Sequence, residues 1–191
     1  LKISEQLLNM NNKKIDTRDL TQMATYAALI VLAIYMIRIP MPSAISNTFV
    51  HPGNALVILA ILFMGFKKGT IAALLGLAIF DITSGYLPVV LFTLIENFIV
   101  LLVVECIFRY VFHYDNRMRN IITLGIVGAV TKIVVIFFKY IVQQLMLGSV
   151  LSGAVASAIS ALPASLFTGV VTAILVPLLY WPIKPVFDRF K

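Results

Sequence analysis

The stretch PVVLFTLIENFIVLLVVECIFRYVF, residues 88–112, decides the fold class. Only Glu96, Glu105 and Arg109 interrupt an otherwise uncharged run. A helix rises about 1.5 Å per residue, so roughly 20 apolar residues cross the ~30 Å hydrocarbon core of a bilayer. The stretch therefore predicts a membrane-spanning helix. Its leading proline is tolerated in the first turn, because no intrahelical hydrogen bond is lost there.

The rest of the chain has the same apolar character. Of its 191 residues, 61% are hydrophobic and only 12% are charged, with a mean hydropathy of +1.01. Soluble domains are about half apolar and a quarter charged. The composition predicts an all-α integral membrane protein that forms a single membrane domain over residues 1–191. Cys106 is the only cysteine, which leaves no disulfide framework or thiolate metal cluster.

Six apolar runs, separated by polar or proline-containing breaks, predict six transmembrane helices. We place them at residues 20–37, 55–66, 70–82, 88–112, 120–147 and 161–183. Residues 1–19 are polar and mixed in charge, which favours a cytoplasmic N-terminal segment over a cleaved signal peptide.

The boundaries are least defined in the long uncharged stretch at 140–183. Gly148, Gly153 and Pro163 interrupt it, so we predict a non-cytoplasmic segment at 148–160 before the last span. A competing count divides this stretch into two spans, which would leave the C-terminus outside.

The lysines and arginines predict the orientation. With the N-terminus inside, six spans place most of them on the cytoplasmic side, as the positive-inside rule requires. Arg38 falls in an outer loop. Lys132 and Lys139 lie within the fifth span. Both termini are then cytoplasmic. The residues placed inside are Lys2, Lys13, Lys14, Arg18, Lys67, Lys68, Arg109, Arg117, Arg119, Lys184, Arg189 and Lys191.

Charged residues inside spans are costly, so each one is a candidate for function. Lys132, Lys139 and Gln143 share one stripe of the fifth span, because seven and eleven residues return to nearly the same helix face. Glu96 lies on the opposite helix face from Glu105. We predict that it pairs with Lys132 or Lys139, either as part of a site or only to fix the helix register.

Glu105 and Arg109 are four residues apart near the inner end of the fourth span. This spacing predicts a structural ion pair on one helix face.

The outer loops add further polar groups. His51 and Asn54 precede the second span, and Asp81 and Tyr86 follow the third. Helix capping or an ordinary turn would explain some of them. Collected on one half of the molecule, they instead predict a ligand site. No second histidine lies near His51, so we predict no metal. The predicted substrate-binding residues are His51, Asn54, Asp81, Tyr86, Glu96, Lys139 and Gln143.

Small residues on the first span form a further pattern. Ala24, Ala27 and Ala28 provide a small-xxx-small face of the kind that allows helices to approach closely in lipid.

Four motifs together carry a family resemblance: HPGNA at 51–55, Gly65 with Gly69, DITSGY at 81–86 and LPASL at 162–166. From about residue 18 onward, the chain resembles the substrate-binding S components of energy-coupling factor (ECF) vitamin transporters. It is similar to the branch for hydroxymethylpyrimidine or pyridoxine, although Ser165 stands where that branch carries an amide.

The resemblance implies a binding subunit of a prokaryotic cell membrane, with a pocket for a vitamin or vitamin precursor that opens outward. It implies a membrane coupling (T) component as partner, which the Ala24, Ala27 and Ala28 face would meet, and two ATPase subunits that use ATP. The chain itself would need no cofactor. GFKKGT, residues 65–70, is too short for the G-x-x-x-x-G-K-[ST] nucleotide loop.

Other functions stay open. A riboflavin or other vitamin S component shares the same general pattern. Lys132 and Lys139 within a span would also suit a self-sufficient secondary transporter. A membrane enzyme has little support, because no nucleophile–base or metal-ligand spacing is present. The basic residues flank the spans instead of forming a nucleic-acid surface.

Overall fold

The computed structural model describes residues 15–40 and 49–189. Most of the predicted segment 1–19 therefore lies outside the described residues. The described chain forms six α-helices and one two-stranded antiparallel hairpin. The helices are α1 (Thr17–Met36), α2 (Gly53–Met64), α3 (Phe66–Thr83), α4 (Val90–Cys106), α5 (Met118–Met146) and α6 (Leu151–Asp188). The strands are β1 (Ile39–Pro40) and β2 (Phe49–Val50).

Short helical segments extend α4 at both ends. A 3₁₀ turn at Leu87–Val89 precedes it and a π-helical turn at Ile107–Val111 follows it. With these turns, α4 covers most of the predicted fourth span.

The helices have the lengths and surfaces of membrane helices. Within the described residues, four are long and apolar enough to cross a bilayer, and Gly53–Met64 is a shorter apolar helix. α2 is buried along nearly its full length, whereas the longer helices expose leucine, isoleucine, valine and phenylalanine. An apolar exterior of this extent is suited to lipid and not to water. The chain is therefore an all-α membrane protein, as predicted.

The last helix, α6, begins earlier than the sequence predicted. α6 begins at Leu151 and continues to Asp188, with Pro163 inside it, so the predicted helix start at 161 is wrong and most of the segment 148–160 is helical. Gly153 lies in the first turn, where it interrupts no hydrogen bond. Proline is tolerated in membrane helices because neighbouring helices and Ser or Thr hydroxyls compensate the backbone.

α1 and α3 pack closely through small residues. A Cβ added at Gly76 would lie 2.8 Å from the Ala27 carbonyl oxygen, so the contact requires glycine. Ala27 is 1% exposed and belongs to this internal contact. Ala24 and Ala28 lie on the exposed face of α1. Of the predicted coupling face, only these two alanines are accessible.

The two ends of the bundle differ in charge. The hairpin end contains β1, β2 and the α3–α4 turn. The basic end is defined by Lys67, Lys68, Arg117, Arg119 and Lys184. At the basic end, Lys68 forms a 2.7 Å ion pair with Asp19 of α1.

The predicted Glu105–Arg109 pair is not formed in the described chain. Glu105 is buried and accepts a hydrogen bond from the Tyr114 hydroxyl at 2.8 Å. The Arg109 guanidinium lies 5.3 Å from the centre of the Tyr110 ring. The π-helical turn begins at Ile107, so the regular i,i+4 spacing on which the prediction depended is lost between these residues.

Candidate functional site

A cavity of about 320 Å³ opens at the hairpin end between α2, α3, α4, α5 and α6. All the predicted substrate-binding residues line it, although they come from distant parts of the chain. Their role in binding remains a prediction, but the fold brings them together. They are His51, Asn54, Asp81, Tyr86, Glu96, Lys139 and Gln143.

The floor of the cavity is a network of charged residues centred on Glu96. Lys132 Nζ lies 2.8 Å from Glu96 Oε1, and Lys139 Nζ lies 2.8 Å from Glu96 Oε2. Lys132 also donates to Asn97 Oδ1 at 2.8 Å. The question of which lysine pairs with Glu96 thus has a simple answer, since each takes one oxygen.

This network leaves one positive charge in excess. Glu96 and Lys132 are 6% and 8% exposed, so the desolvation of their charges is offset only by the contacts within the network. Lys139 is the most accessible member, with 19% of its side chain exposed. Its ammonium group is therefore the donor on the floor that a bound ligand would meet first.

The stretch FDITSGYLP, residues 80–88, forms one side of the cavity. α3 ends in a Schellman motif, in which the Tyr86 N–H donates to the Asp81 carbonyl at 2.8 Å and Gly85 has φ of +81°. Only glycine adopts this conformation without strain. The turn reverses the chain within three residues and leaves Phe80, Asp81 and Tyr86 lining the same cavity.

An aromatic cluster with one arginine lies at the hairpin end of the cavity. The Arg38 guanidinium stacks 3.7 Å from the centre of the Phe49 ring and donates to the Tyr86 hydroxyl. The Phe49 ring centre is 6.1 Å from that of Phe80 and 6.2 Å from that of Tyr86. The cluster provides flat apolar surfaces of the kind that favour an aromatic ring.

His51 lies in the loop before α2 with its tautomer defined. Its Nδ1 accepts a hydrogen bond from the Gly53 N–H at 3.1 Å, so in the neutral ring the proton is on Nε2. Burial, together with the positive charges of Lys132 and Arg38, lowers the pKa of His51 to about 4. The imidazole is therefore neutral near pH 7.

Asn54 lies in the first turn of α2, whose N-cap is Pro52, and does not cap the helix.

Several lining residues were not predicted. Asn97 adjoins Glu96 in sequence, and a second polar residue in a span was a usable signal. Ser165 and Thr168 lie three residues apart and so share a face of α6. Serine and threonine are common in membrane helices, where they hydrogen-bond to their own helix, so residue type alone does not select them; the one signal was the position of Ser165 in the LPASL motif. The remaining polar lining residues are Thr93 and Tyr140.

The cavity has the features of a small-molecule binding pocket. Within the described ranges, no three histidine, cysteine, aspartate or glutamate side chains are grouped so that they could hold a metal ion. The cavity instead combines an apolar wall, a few placed polar groups and a volume in the range of small-molecule pockets.

Comparison with known proteins identifies the family. The model of the family "ECF-type riboflavin transporter, S component" matches residues 14–185, which is most of the chain. The chain belongs to this family of S components. It is therefore a substrate-binding subunit of a vitamin transporter, embedded in a membrane and without enzymatic activity of its own. Membership also implies association with a T component and ATPases. No curated protein and no solved structure matches the chain significantly.

Proposed function

We propose that this S component binds a small nitrogen heterocycle of the hydroxymethylpyrimidine or pyridoxine type for an ATP-driven importer. The observation that carries the proposal is the cavity at the hairpin end, where Asp81, Glu96 and Lys139 face the same space as an aromatic wall. A single ring with amino, hydroxyl or hydroxymethyl groups offers a flat face to the wall. Its polar groups can reach the charged floor.

The size of the cavity supports a single ring. Its volume of about 320 Å³ lies at the lower end of the ~300–1,000 Å³ range of ligand pockets. The mixed charge of its lining supports a polar ligand with both donors and acceptors, because each buried polar group needs a partner once water is displaced.

Riboflavin is the second candidate, and the family match favours it. Its three fused rings would use the aromatic wall formed by Phe49, Phe80 and Tyr86. Its polyol chain would have to occupy the charged floor. Riboflavin therefore needs more of the cavity than a single ring does.

We further propose six spans with both termini in the cytoplasm of a prokaryotic cell. The concentration of lysine and arginine at the basic end supports a cytoplasmic position for that end. The cavity would then open outward, as uptake requires. The exposed Ala24 and Ala28 face of α1 supports docking of the T component there. Transport would also require two ATPase subunits, which supply the energy that a binding subunit lacks.

Ligand binding to the purified chain tests the proposal. We expect calorimetry in detergent to show saturable binding of hydroxymethylpyrimidine or pyridoxine, with the other compound and riboflavin binding at least tenfold more weakly. Riboflavin has its own readout, because its fluorescence changes when the ring is stacked on aromatic side chains. Tight riboflavin binding, with no binding of the single-ring compounds, would replace the first candidate by the second.

A further inference from the structure

The two carboxylates that line the cavity differ in one respect. Glu96 has a lysine ammonium 2.8 Å from each oxygen, so its charge is compensated even though its Oε2 has an ion-pair partner and no hydrogen bond of regular geometry. Asp81 is 7% exposed, and its Oδ2 has no hydrogen-bond partner among residues 15–40 and 49–189. A buried carboxylate oxygen without a donor is unusual in a folded protein and calls for an explanation.

The fold offsets the burial of Asp81 only in part, through a hydrogen bond from the Thr93 side chain and the positive charges of Lys139 and Lys132, and none of these leaves Oδ2 with a hydrogen-bond donor. An unsatisfied buried acceptor destabilises a protein, and a charged one more so than a neutral one. Asp81 also lies in the last turn of α3, which ends at Thr83. A negative charge near a helix C-terminus is disfavoured by the helix dipole. The backbone carbonyl of Asp81 forms the Schellman hydrogen bond, and that bond needs no carboxylate side chain.

The unpaired oxygen belongs to a residue of the cavity wall, so a ligand in the cavity can supply the missing donor. We infer that Asp81 is the specificity-determining acceptor of the site, which selects ligands with an N–H or O–H group at the position facing it. This inference rests on the proposed function, and it specifies one hydrogen-bond donor group that the ligand must carry. The ligand carries an exocyclic amine, a hydroxyl or a protonated ring nitrogen on the edge that approaches α3.

Lys139 supplies the complementary group. Its ammonium is partly accessible on the floor, and it is a donor only. A ligand that satisfies both side chains presents a donor to Asp81 and an acceptor to Lys139. Apolar rings and ligands with acceptors alone would leave Asp81 Oδ2 buried without a donor, which is the basis on which sites of this kind reject analogues.

The first experiment measures thermal unfolding of the ligand-free protein in detergent. If Asp81 is retained for ligand selection, Asp81→Asn and Asp81→Ala should leave the Tm unchanged or raise it by about 2–4 °C. Glu96→Gln serves as the matched control, because Glu96 is compensated within the protein, and its Tm should fall. A fall in Tm for both Asp81 variants would mean that the side chain stabilises the fold, and would overturn the inference.

The second experiment uses calorimetry to compare a ligand with an analogue that lacks one donor group, on wild-type protein and on Asp81→Ala. The ligands are hydroxymethylpyrimidine and an analogue in which hydrogen replaces the exocyclic amine; pyridoxine and its analogue without the ring hydroxyl form a second pair. Wild-type protein should prefer the compound with the donor by roughly ten- to a hundredfold. Asp81→Ala should bind both members of the relevant pair with similar affinity.

The outcomes separate the two claims. If the parent compound binds and the same preference persists in Asp81→Ala, the proposed function stands and the Asp81 inference fails. If hydroxymethylpyrimidine, pyridoxine and riboflavin all fail to bind wild-type protein, the proposed function fails. The Asp81 inference, which rests on that function, then fails with it.

Discussion

Glu96 of α4 and Lys139 of α5 form a 2.8 Å ion pair on the floor of the cavity, and this pair is half of a larger unit. Lys132, two helical turns before Lys139, holds the other oxygen of the same carboxylate. One carboxylate therefore bridges two ammonium groups on the floor of the cavity. The arrangement connects α4 to α5 and fixes the position of the polar groups that face the cavity.

Breaking this network should be costly. We expect Glu96→Gln to lower the free energy of unfolding by about 3–5 kcal/mol, because it leaves Lys132 buried without its counter-charge. Lys139→Met should cost less, since Lys139 is more accessible and Lys132 still neutralises the carboxylate. Denaturant unfolding in detergent, monitored by helical circular dichroism, gives both values.

The double variant Glu96→Gln/Lys132→Met provides the control. Removing both buried charges should recover part of the stability lost in Glu96→Gln. Strictly additive losses would mean that the two side chains do not act as a pair.

His51 should make stability depend on pH. Its pKa is about 4 in the folded protein and about 6.5 in an unfolded chain. Between these values the unfolded state binds more protons, so stability rises with pH through this window and is lost as pH falls below about 6.5. Complete loss corresponds to at most about 3.5 kcal/mol, since one pKa unit is about 1.4 kcal/mol.

The measurement compares Tm against pH for wild-type protein and His51→Asn, whose side-chain oxygen can still accept from the Gly53 N–H. Above about pH 7 the two curves should run parallel. Below it, only wild-type protein should show the additional decline that belongs to the imidazole. Parallel curves over the full range from pH 4 to pH 8 would contradict a buried neutral His51.

The sequence predicted the fold class and seven of the residues that line the cavity for physical reasons. Bilayer thickness fixes helix length, so apolar runs located the helices. The cost of charge in lipid identified Glu96 and Lys139 before their partners were known. The sequence did not predict the shared carboxylate, because both lysines lie on the same helix stripe and either of them could reach it.

The continuation of α6 through a proline and the burial of one alanine could not be predicted, because both depend on how the residue packs within the fold. Proline usually ends a helix in water, yet Pro163 lies within α6. Ala27 matched the small-residue pattern as well as Ala24 did, but the close approach of Gly76 draws it into the interior. Periodicity defines a helix face, but only packing determines whether that face meets a neighbouring helix or lipid.

The exposed alanines of α1 allow a test of docking. Replacing Ala24 and Ala28 with leucine should prevent association with a T component, because added bulk separates two closely packed helices. Ligand affinity should stay within about twofold of wild type, since neither alanine lines the cavity. Co-purification with the tagged T and ATPase subunits measures association, and calorimetry measures binding.

A matched pair on α6 controls for bulk alone. Ala156 and Ser160 are also small, exposed and four residues apart, so Ala156→Leu/Ser160→Leu adds similar volume to a different lipid-facing surface. This variant should co-purify normally. Loss of the complex in both double variants would point to general damage, and retention in both would remove α1 as the docking face.

The last prediction concerns the source of energy for transport. The chain should bind ligand alone but not accumulate it, because the proposed importer obtains its energy from ATPase subunits. In proteoliposomes we expect uptake of the radiolabelled ligand only when T component, both ATPases and internal ATP are present. An ATPase variant that cannot hydrolyse ATP should reduce uptake to the level of empty vesicles while ligand binding remains unchanged.

Accumulation by the chain alone, driven by a proton or sodium gradient and abolished by an ionophore, would instead show a secondary transporter. In that case the two lysines around Glu96 would become the first candidates for the coupling site.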